Sequence, residues 1–150
     1  MANPLLQIRN LSKTYPNGVQ ALRDVNFEVH EGEFLVVIGL SGSGKSTLMR
    51  CLNRLQEPTG GEILFKGQAI AQISDGKAIR NLRRQMGMIF QHFNLIPRQS
   101  VLKNVLMGRL GYKSSWQSML GMFTAEEKAE ALNNLKLVRS EEHTSELQSH

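Results

Sequence analysis

Apolar and polar positions alternate over Leu5–Tyr15 and again over Val25–Val29, which predicts two strands that each have one solvated face. Pro16–Gly18 lies between them and predicts a turn. A third apolar segment, Gly61–Lys66, has glycines on both sides and predicts another strand. The first part of the chain is therefore expected to form an antiparallel β unit.

Two stretches are apolar without alternation, which is typical of strands buried on both faces. They are Phe34–Ile38, which follows a predicted turn at Glu31–Glu33, and the shorter Gly87–Phe90. Both are expected to be core strands.

Apolar residues recur at helical spacing in four segments, which are Ser46–Leu55, Asp75–Met86, Ser100–Leu110 and Thr124–Val138. Ser100 is an expected N-cap, and the segment that begins at Thr124 has the form of a capping box. The side chains expected to face inward in the third helix are Val101, Leu102 and Val105. The apolar positions of the last helix include Ala131, Leu132, Leu135 and Val138.

Residues 39–46 read GLSGSGKS, an uninterrupted GxxxxGK[ST] phosphate-binding loop between the predicted strand 34–38 and a predicted helix. Glycines let the chain approach a phosphate closely, and the freed N–H groups converge on the anion at a helix N-terminus. Lys45 is expected to reach the β- and γ-phosphates, and the Ser46 hydroxyl to bind Mg²⁺. The predicted nucleotide site comprises Gly39, Ser41, Gly42, Ser43, Gly44, Lys45, Ser46 and Thr47.

Kinases, GTPases and motors share this loop, so three further segments are needed to narrow the function. They are SKTYPNG at 12–18, EPTGGEI at 57–63 and GMIFQHFNLIP at 87–97. Together with the loop they resemble the ATP-binding subunits of ABC transporters, over roughly residues 5–138. The resemblance implies an α/β P-loop NTPase core with an N-terminal antiparallel β subdomain and the start of a helical subdomain, truncated.

The resemblance also implies roles for two residues outside the loop. An aromatic residue at the position of Tyr15 stacks on adenine in that family. A glutamine at the position of Gln91 contacts Mg²⁺ and the attacking water and senses the membrane subunit. The implied cofactors are ATP and Mg²⁺, with Lys45 and Gln91 as catalytic residues and Ser46 and Gln91 at the metal.

The segments 82–91, 98–106 and 108–112, followed by Trp116 and the segment 120–123, resemble the ATPase subunit of bacterial phosphonate importers. The resemblance implies uptake of phosphonate or a related phosphorus oxyanion. Its implied partners are a second copy of the subunit, an integral membrane permease and, indirectly, a solute-binding protein, with no nucleic acid. The implied location is peripheral, on the cytoplasmic face of the inner membrane.

Three motifs that the family carries later in its sequence are not found among these 150 residues. They are a Leu-Ser-Gly-Gly-Gln-like segment, a strand that ends in Asp and a catalytic Glu, and a switch His. His92 cannot replace the switch His, because it lies beside Gln91. The intact parent is therefore expected to be an ATPase, and the chain alone to be inactive.

Residues 139–150 are polar except for Leu147, and a common short-read sequencing adapter can encode residues 139–149. We expect 1–138 to be a partial nucleotide-binding domain and 139–150 to be an artefactual, disordered tail.

Charge leaves a second interpretation open. The formal net charge is +5, and it is +7 without residues 139–150. The cluster Arg80, Arg83 and Arg84 is interpreted first as a solvated helix face, then as a membrane-apposed surface, and last as a nucleic-acid contact. The alternative function is a soluble P-loop ATPase or GTPase without a membrane partner, although the Asn-Lys-x-Asp guanine reader of GTPases is not found.

Apolar runs, the cysteine and the methionines give further expectations about membrane insertion and packing. No run approaches the ~18 apolar residues of a membrane span. Cys51 is the only cysteine and is expected to be a buried thiol. Met86 and Met88 are expected to pack in a core. The segment Tyr112–Phe123, with Met119 and Met122, is expected to form a docking surface.

Overall fold

The structure is a computed structural model that describes residues 3–91 and 94–138. The described residues fall into two compact units, which divide between Gly87 and Met88. The predicted tail at 139–150 and His92 lie outside the described residues.

The first unit contains a four-stranded antiparallel sheet. Its strands are β1 (Leu6–Thr14), β2 (Gln20–Val29), β3 (Gly60–Phe65) and β4 (Gln68–Ala69). The order is β2-β1-β3-β4, and Leu6 of β1 lies opposite Val29 on one side and Phe65 on the other. The predicted antiparallel β unit is confirmed, although β2 begins five residues earlier than predicted.

Two helices and a 3₁₀ turn pack against this sheet. They are α1 (Lys45–Leu52), the turn Ile70–Gln72 and α2 (Gly76–Gln85). The side chain of Asp75 caps α2 by accepting a hydrogen bond from the backbone N–H of Ala78. The buried core comprises Ile8, Leu11, Leu22, Leu48, Cys51, Ile63, Phe65, Ile70, Ile73 and Leu82. The expectation that Cys51 is buried is confirmed, and burial raises the pKa of its thiol.

Both predicted core strands are wrong. Neither Phe34–Ile38 nor Gly87–Phe90 forms a strand. Phe34 and Ile38 are each 90% exposed, and Ile89 is fully exposed. A run that is apolar on both faces becomes a strand only when neighbours pair with its edges and cover its faces. None of the described strands pairs with either segment, so neither segment has a neighbouring strand among the described residues.

The second unit is helical. It contains α3 (Val101–Met107), a 3₁₀ turn (Leu110–Tyr112), α4 (Ser115–Met119) and α5 (Ala125–Leu137). Helix α3 packs against α5 around Leu106, Ala131 and Leu135, which are buried. The sequence did not single out Leu106, whereas Val101, Leu102 and Val105 are only half-buried. Of the other apolar positions in the last helix, Leu132 and Val138 are exposed.

Both predicted N-caps in this unit are confirmed. Ser100 accepts from the backbone N–H of Lys103, and Thr124 forms a reciprocal capping box with Glu127. The Lys113 ammonium lies 2.8 Å from a Glu127 carboxylate oxygen. Hydrogen bonds from Lys113 and from the Thr124 backbone hold the pKa of the Glu127 carboxyl below its ordinary value.

Candidate functional site

The phosphate loop leads directly into α1, as the motif predicts. Gly42 and Gly44 have φ of +80° and +92°, backbone angles that glycine adopts without strain. A Cβ on Gly44 would lie 2.3 Å from the carbonyl oxygen of Ala21 in β2. A Cβ on Gly39 would lie 2.7 Å from the Ser43 hydroxyl. Glycine is therefore required at Gly44 by both angle and space, whereas at Gly39 the Ser43 hydroxyl would have to move.

The ammonium group of Lys45 lies across this loop. Its Nζ donates to the carbonyl oxygens of Gly39 at 2.6 Å and Leu40 at 2.7 Å, and to the Ser43 hydroxyl at 3.3 Å. These contacts hold a positive charge at the loop, with the ammonium donors directed at the loop itself. The predicted contact of Lys45 with the phosphates of a nucleotide stays a prediction.

The first turn of α1 is suited to an anion. Gly44 is the N-cap, so no side chain caps the helix, and the first turn carries no acidic residue. The first N–H groups of a helix have no intrahelical acceptor, and the helix dipole adds positive potential there. Ser46 is exposed at this end, whereas Thr47 is buried. The loop residues predicted from the motif are therefore together at one helix terminus.

The structure connects Tyr15 to this helix. Its hydroxyl lies 3.1 Å from Thr47 Oγ1 and donates to Gln56 Oε1 at 3.1 Å. The Lys13 ammonium lies 5.6 Å from the centre of the Tyr15 ring. Gln56 belongs to none of the segments that carry the resemblance, and Lys13 lies in one of them but has no role implied by it.

Gln91 lies in the other unit. It is exposed, and the residues before it form no strand. Its predicted place near the metal and the attacking water stays a prediction, whereas Tyr15, Thr47 and the phosphate loop come together within the first unit.

The metal prediction rests on few protein ligands. The described residues contain no group of three His, Cys, Asp or Glu side chains that could hold a metal ion. Nucleotide-bound Mg²⁺ usually takes only one or two protein oxygens besides phosphate and water. The exposed hydroxyl of Ser46, in the first turn of α1, fits that requirement.

A second surface lies in the helical unit. An apolar recess of about 300 Å³ is lined by Leu95, Ile96, Pro97, Gln99, Val101, Asn104 and Val105. Farther along the chain, Trp116 is 72% exposed and Met119 is 71% exposed. Exposed apolar patches of this kind are typical of protein–protein contacts.

Comparison with known proteins decides the family. Residues 22–149 match the family described as "ABC transporter". The chain belongs to the ABC transporter family. The match extends into residues 139–150, and the artefactual origin of that tail stays a prediction.

Curated relatives carry a more specific name. The chain is 68% identical over 145 residues to "Phosphonates import ATP-binding protein PhnC" of Bdellovibrio bacteriovorus, an alignment that covers 97% of this chain and 56% of that protein. It is 50% identical over 133 residues to the protein of the same name from Staphylococcus aureus strain USA300, covering 89% and 51%. The chain spans about half the length of the curated relatives that it matches.

Solved structures confirm the expected ABC ATPase fold. The dimeric ATP-binding cassette MJ0796 bound to ADP and Pi superposes with a TM-score of 0.74 at 34% identity, covering 89% of this chain and 57% of that one. The cbiO1 subunit from Clostridium perfringens gives 0.67 at 29% identity, covering 90% and 50%. Among the described residues of this ABC family member, no helix is both long enough and apolar enough to cross a membrane.

Proposed function

We propose that this chain is the nucleotide-binding part of the ATPase subunit of an ABC importer for phosphonate or a related phosphorus oxyanion. The observation that carries the proposal is the phosphate loop, where the Lys45 ammonium bonds to the loop next to a helix N-terminus that no side chain caps. The curated relatives, whose printed name is that of a phosphonate import protein, support the transported solute.

Phosphate binding follows from the geometry of the loop. The N–H groups at the start of α1 and the Lys45 ammonium offer donors and positive charge to the β- and γ-phosphates. As the γ-phosphate is transferred, negative charge shifts towards the ADP leaving group. Hydrogen-bond donors that are already oriented towards that charge stabilise it without having to reorganise. Lys45 is therefore the catalytic residue of the first unit.

The other two predicted contacts complete the nucleotide site. Tyr15 offers its ring to adenine, and its hydroxyl bonds to Thr47 and Gln56 fix the ring's position. Ser46 and Gln91 would hold Mg²⁺, which neutralises phosphate charge when it is bound. Gln91 would also orient the attacking water.

The intact subunit requires more than this chain. We assign residues 1–138 to a partial nucleotide-binding domain and 139–150 to an artefactual tail. The Asp-Glu strand, the Leu-Ser-Gly-Gly-Gln-like segment and the switch His of the family would come from the remaining half of the subunit. Without a group to polarise water, the chain alone would not hydrolyse ATP.

The proposed partners follow the family arrangement. A second copy of the subunit would close over the nucleotide, and a solved relative is described as a dimeric cassette. The recess at Leu95–Val105 and the exposed segment around Trp116 would contact an integral membrane permease at the cytoplasmic face of the inner membrane. A solute-binding protein would deliver the solute on the other side.

A growth assay tests the import function. Cells that lack their own phosphonate ATPase, with the permease present, should grow on methylphosphonate as phosphorus source when they carry the intact subunit. The Lys45→Ala subunit should not support growth, while both strains should grow on inorganic phosphate. ATPase activity that neither responds to the permease nor supports growth would favour the alternative, a P-loop ATPase without a membrane partner.

A further inference from the structure

The residue that follows α1 has an unusual backbone. Asn53 is the C-cap of the helix, and Arg54 after it has φ of +55°. The backbone N–H of Arg54 donates to the carbonyl oxygen of Cys51 at 3.1 Å, which closes the helix end. Glycine is the common residue here, because a side chain is strained at this angle. An arginine at such a position suggests that its side chain compensates for the strain.

The Arg54 side chain is only 12% exposed and joins two parts of the first unit. Its Nη1 donates to the carbonyl oxygen of Ile70 at 3.0 Å and also to that of Ile73. Its Nε and Nη2 donate to a Glu57 carboxylate oxygen at 3.0 and 2.8 Å. Ile70 and Ile73 are buried in the core, so the hydrogen bonds of Arg54 connect the end of α1 to the core of the first unit.

A second arginine reaches the same helix end from α2. Arg83 donates through Nε to the carbonyl oxygen of Asn53 at 3.2 Å and through Nη2 to that of Arg54 at 2.7 Å. The last carbonyls of a helix lack intrahelical donors, and positive charge is favourable beside them. Arg83 is exposed, as the interpretation of a solvated helix face requires, and its guanidinium additionally bonds these two carbonyls.

The opposite end of α1 carries the phosphate loop. There Gly44 packs against Ala21 of β2 so closely that a Cβ would overlap its carbonyl oxygen. Helix α1 has eight residues and is thus about 12 Å long. In so short and rigid an element, a tilt at one end displaces the N–H groups at the other. Displacements of about 1 Å are enough to impair a catalytic arrangement.

We propose that Arg54 and Arg83 are positioning residues for the phosphate loop. They hold the C-terminal end of α1 and thereby fix the direction of the N–H groups and of Lys45 at its N-terminal end. Neither arginine belongs to the phosphate loop. The inference rests on the proposed function, because it concerns how well the same site binds the phosphates of ATP.

The test uses the intact subunit and measures Mg·ATP affinity together with thermal melting. Arg83→Ala should weaken Mg·ATP binding roughly tenfold, on the scale of losing charge-assisted hydrogen bonds. Arg83→Lys, which keeps the charge but cannot bridge two carbonyls as a fork, should fall between Arg83→Ala and wild type. Lys77→Ala, which removes an exposed basic residue from the same helix, is the matched control and should bind like wild type.

The Arg54→Gly variant distinguishes the contribution of the side-chain hydrogen bonds from that of the backbone angle. Glycine relieves the strain at this angle but removes the bonds to Ile70, Ile73 and Glu57. The subunit should keep a cooperative melt and still lose several-fold in Mg·ATP affinity. Full affinity in Arg54→Gly would show that only the backbone matters there and would overturn the role of its side chain.

A double-mutant cycle with Lys45 distinguishes positioning from general destabilisation. If Arg83 acts through the loop, Arg83→Ala should lower the affinity less than about twofold when Lys45 is already alanine. An equal loss in both backgrounds would contradict the proposal, as would wild-type affinity in Arg83→Ala. Failure of the proposed function would look different, because it would appear in the wild-type subunit itself, either as no growth on methylphosphonate or as Mg·ATP binding that is absent or independent of Lys45.

Discussion

The hydroxyl of Tyr15 lies 3.1 Å from Oγ1 of Thr47, so the expected adenine-binding ring is hydrogen bonded to the helix that follows the phosphate loop. The two residues are separated by 32 positions in the chain. Base and phosphates would therefore be bound by groups that touch each other, and a change at one should affect the other.

Substitution of Tyr15 tests both parts of this side chain. Tyr15→Ala should weaken ATP binding by roughly 1–2 kcal/mol, because the stacking ring is lost. Tyr15→Phe should weaken it by about 0.5–1 kcal/mol, because the ring remains but its bonds to Thr47 and Gln56 do not. Isothermal titration of the intact subunit measures both. Equal losses in the two variants would assign the effect to the hydroxyl and contradict stacking.

Gly44→Ala tests the close approach of the loop to β2. The added Cβ meets the Ala21 carbonyl oxygen at 2.3 Å, and φ is +92°. We expect loss of measurable ATP binding. Gly67→Ala is the matched control, since Gly67 has φ of +78° but no atom within 4 Å of an added Cβ. It should cost about 1 kcal/mol of stability and leave ATP binding intact. Intact ATP binding in Gly44→Ala would contradict the requirement for glycine at this position.

Cysteine crosslinking tests the permease surface. Asn94 and Trp116 are exposed in the helical unit, so a cysteine at either position should crosslink to a co-expressed permease. A cysteine at Arg23, an exposed position of β2, is the control and should not crosslink. If both test positions fail while the complex still copurifies, the docking surface lies elsewhere.

The purified 150-residue chain should behave differently from the intact subunit. Phe34, Ile38 and Ile89 are almost fully exposed, and exposed apolar segments of this kind promote aggregation. We expect partial unfolding or aggregation by circular dichroism and no phosphate release from ATP. A cooperative melt with Lys45-dependent phosphate release would show that the chain alone retains a working site.

Local chemistry in the sequence predicted much of this structure. The caps at Ser100 and Thr124 are read from residues a few positions apart, and β1 from its alternation. The phosphate loop could also be predicted, because its glycines and Lys45 lie close together in one short segment of the sequence.

Features that depend on distant partners could not be predicted. The run Phe34–Ile38 has the composition of a core strand, but strand formation depends on neighbours that pair with it. Gln56 has no motif, and its bond to Tyr15 spans 41 positions. The bonds from Arg83 to the end of α1 likewise exist only after α2 has packed, so periodicity alone suggested a solvated face.

Steady-state phosphate release by the intact subunit at saturating Mg·ATP tests the central claim most directly. The wild-type subunit should release phosphate, and Lys45→Ala should abolish the release while the melting temperature stays within a few degrees. In the proposed site Lys45 would supply positive charge to the β- and γ-phosphates, and oriented charge of this kind is most of what a phosphoryl-transfer site contributes. Unchanged turnover in Lys45→Ala would contradict the assignment of this loop as the ATP site.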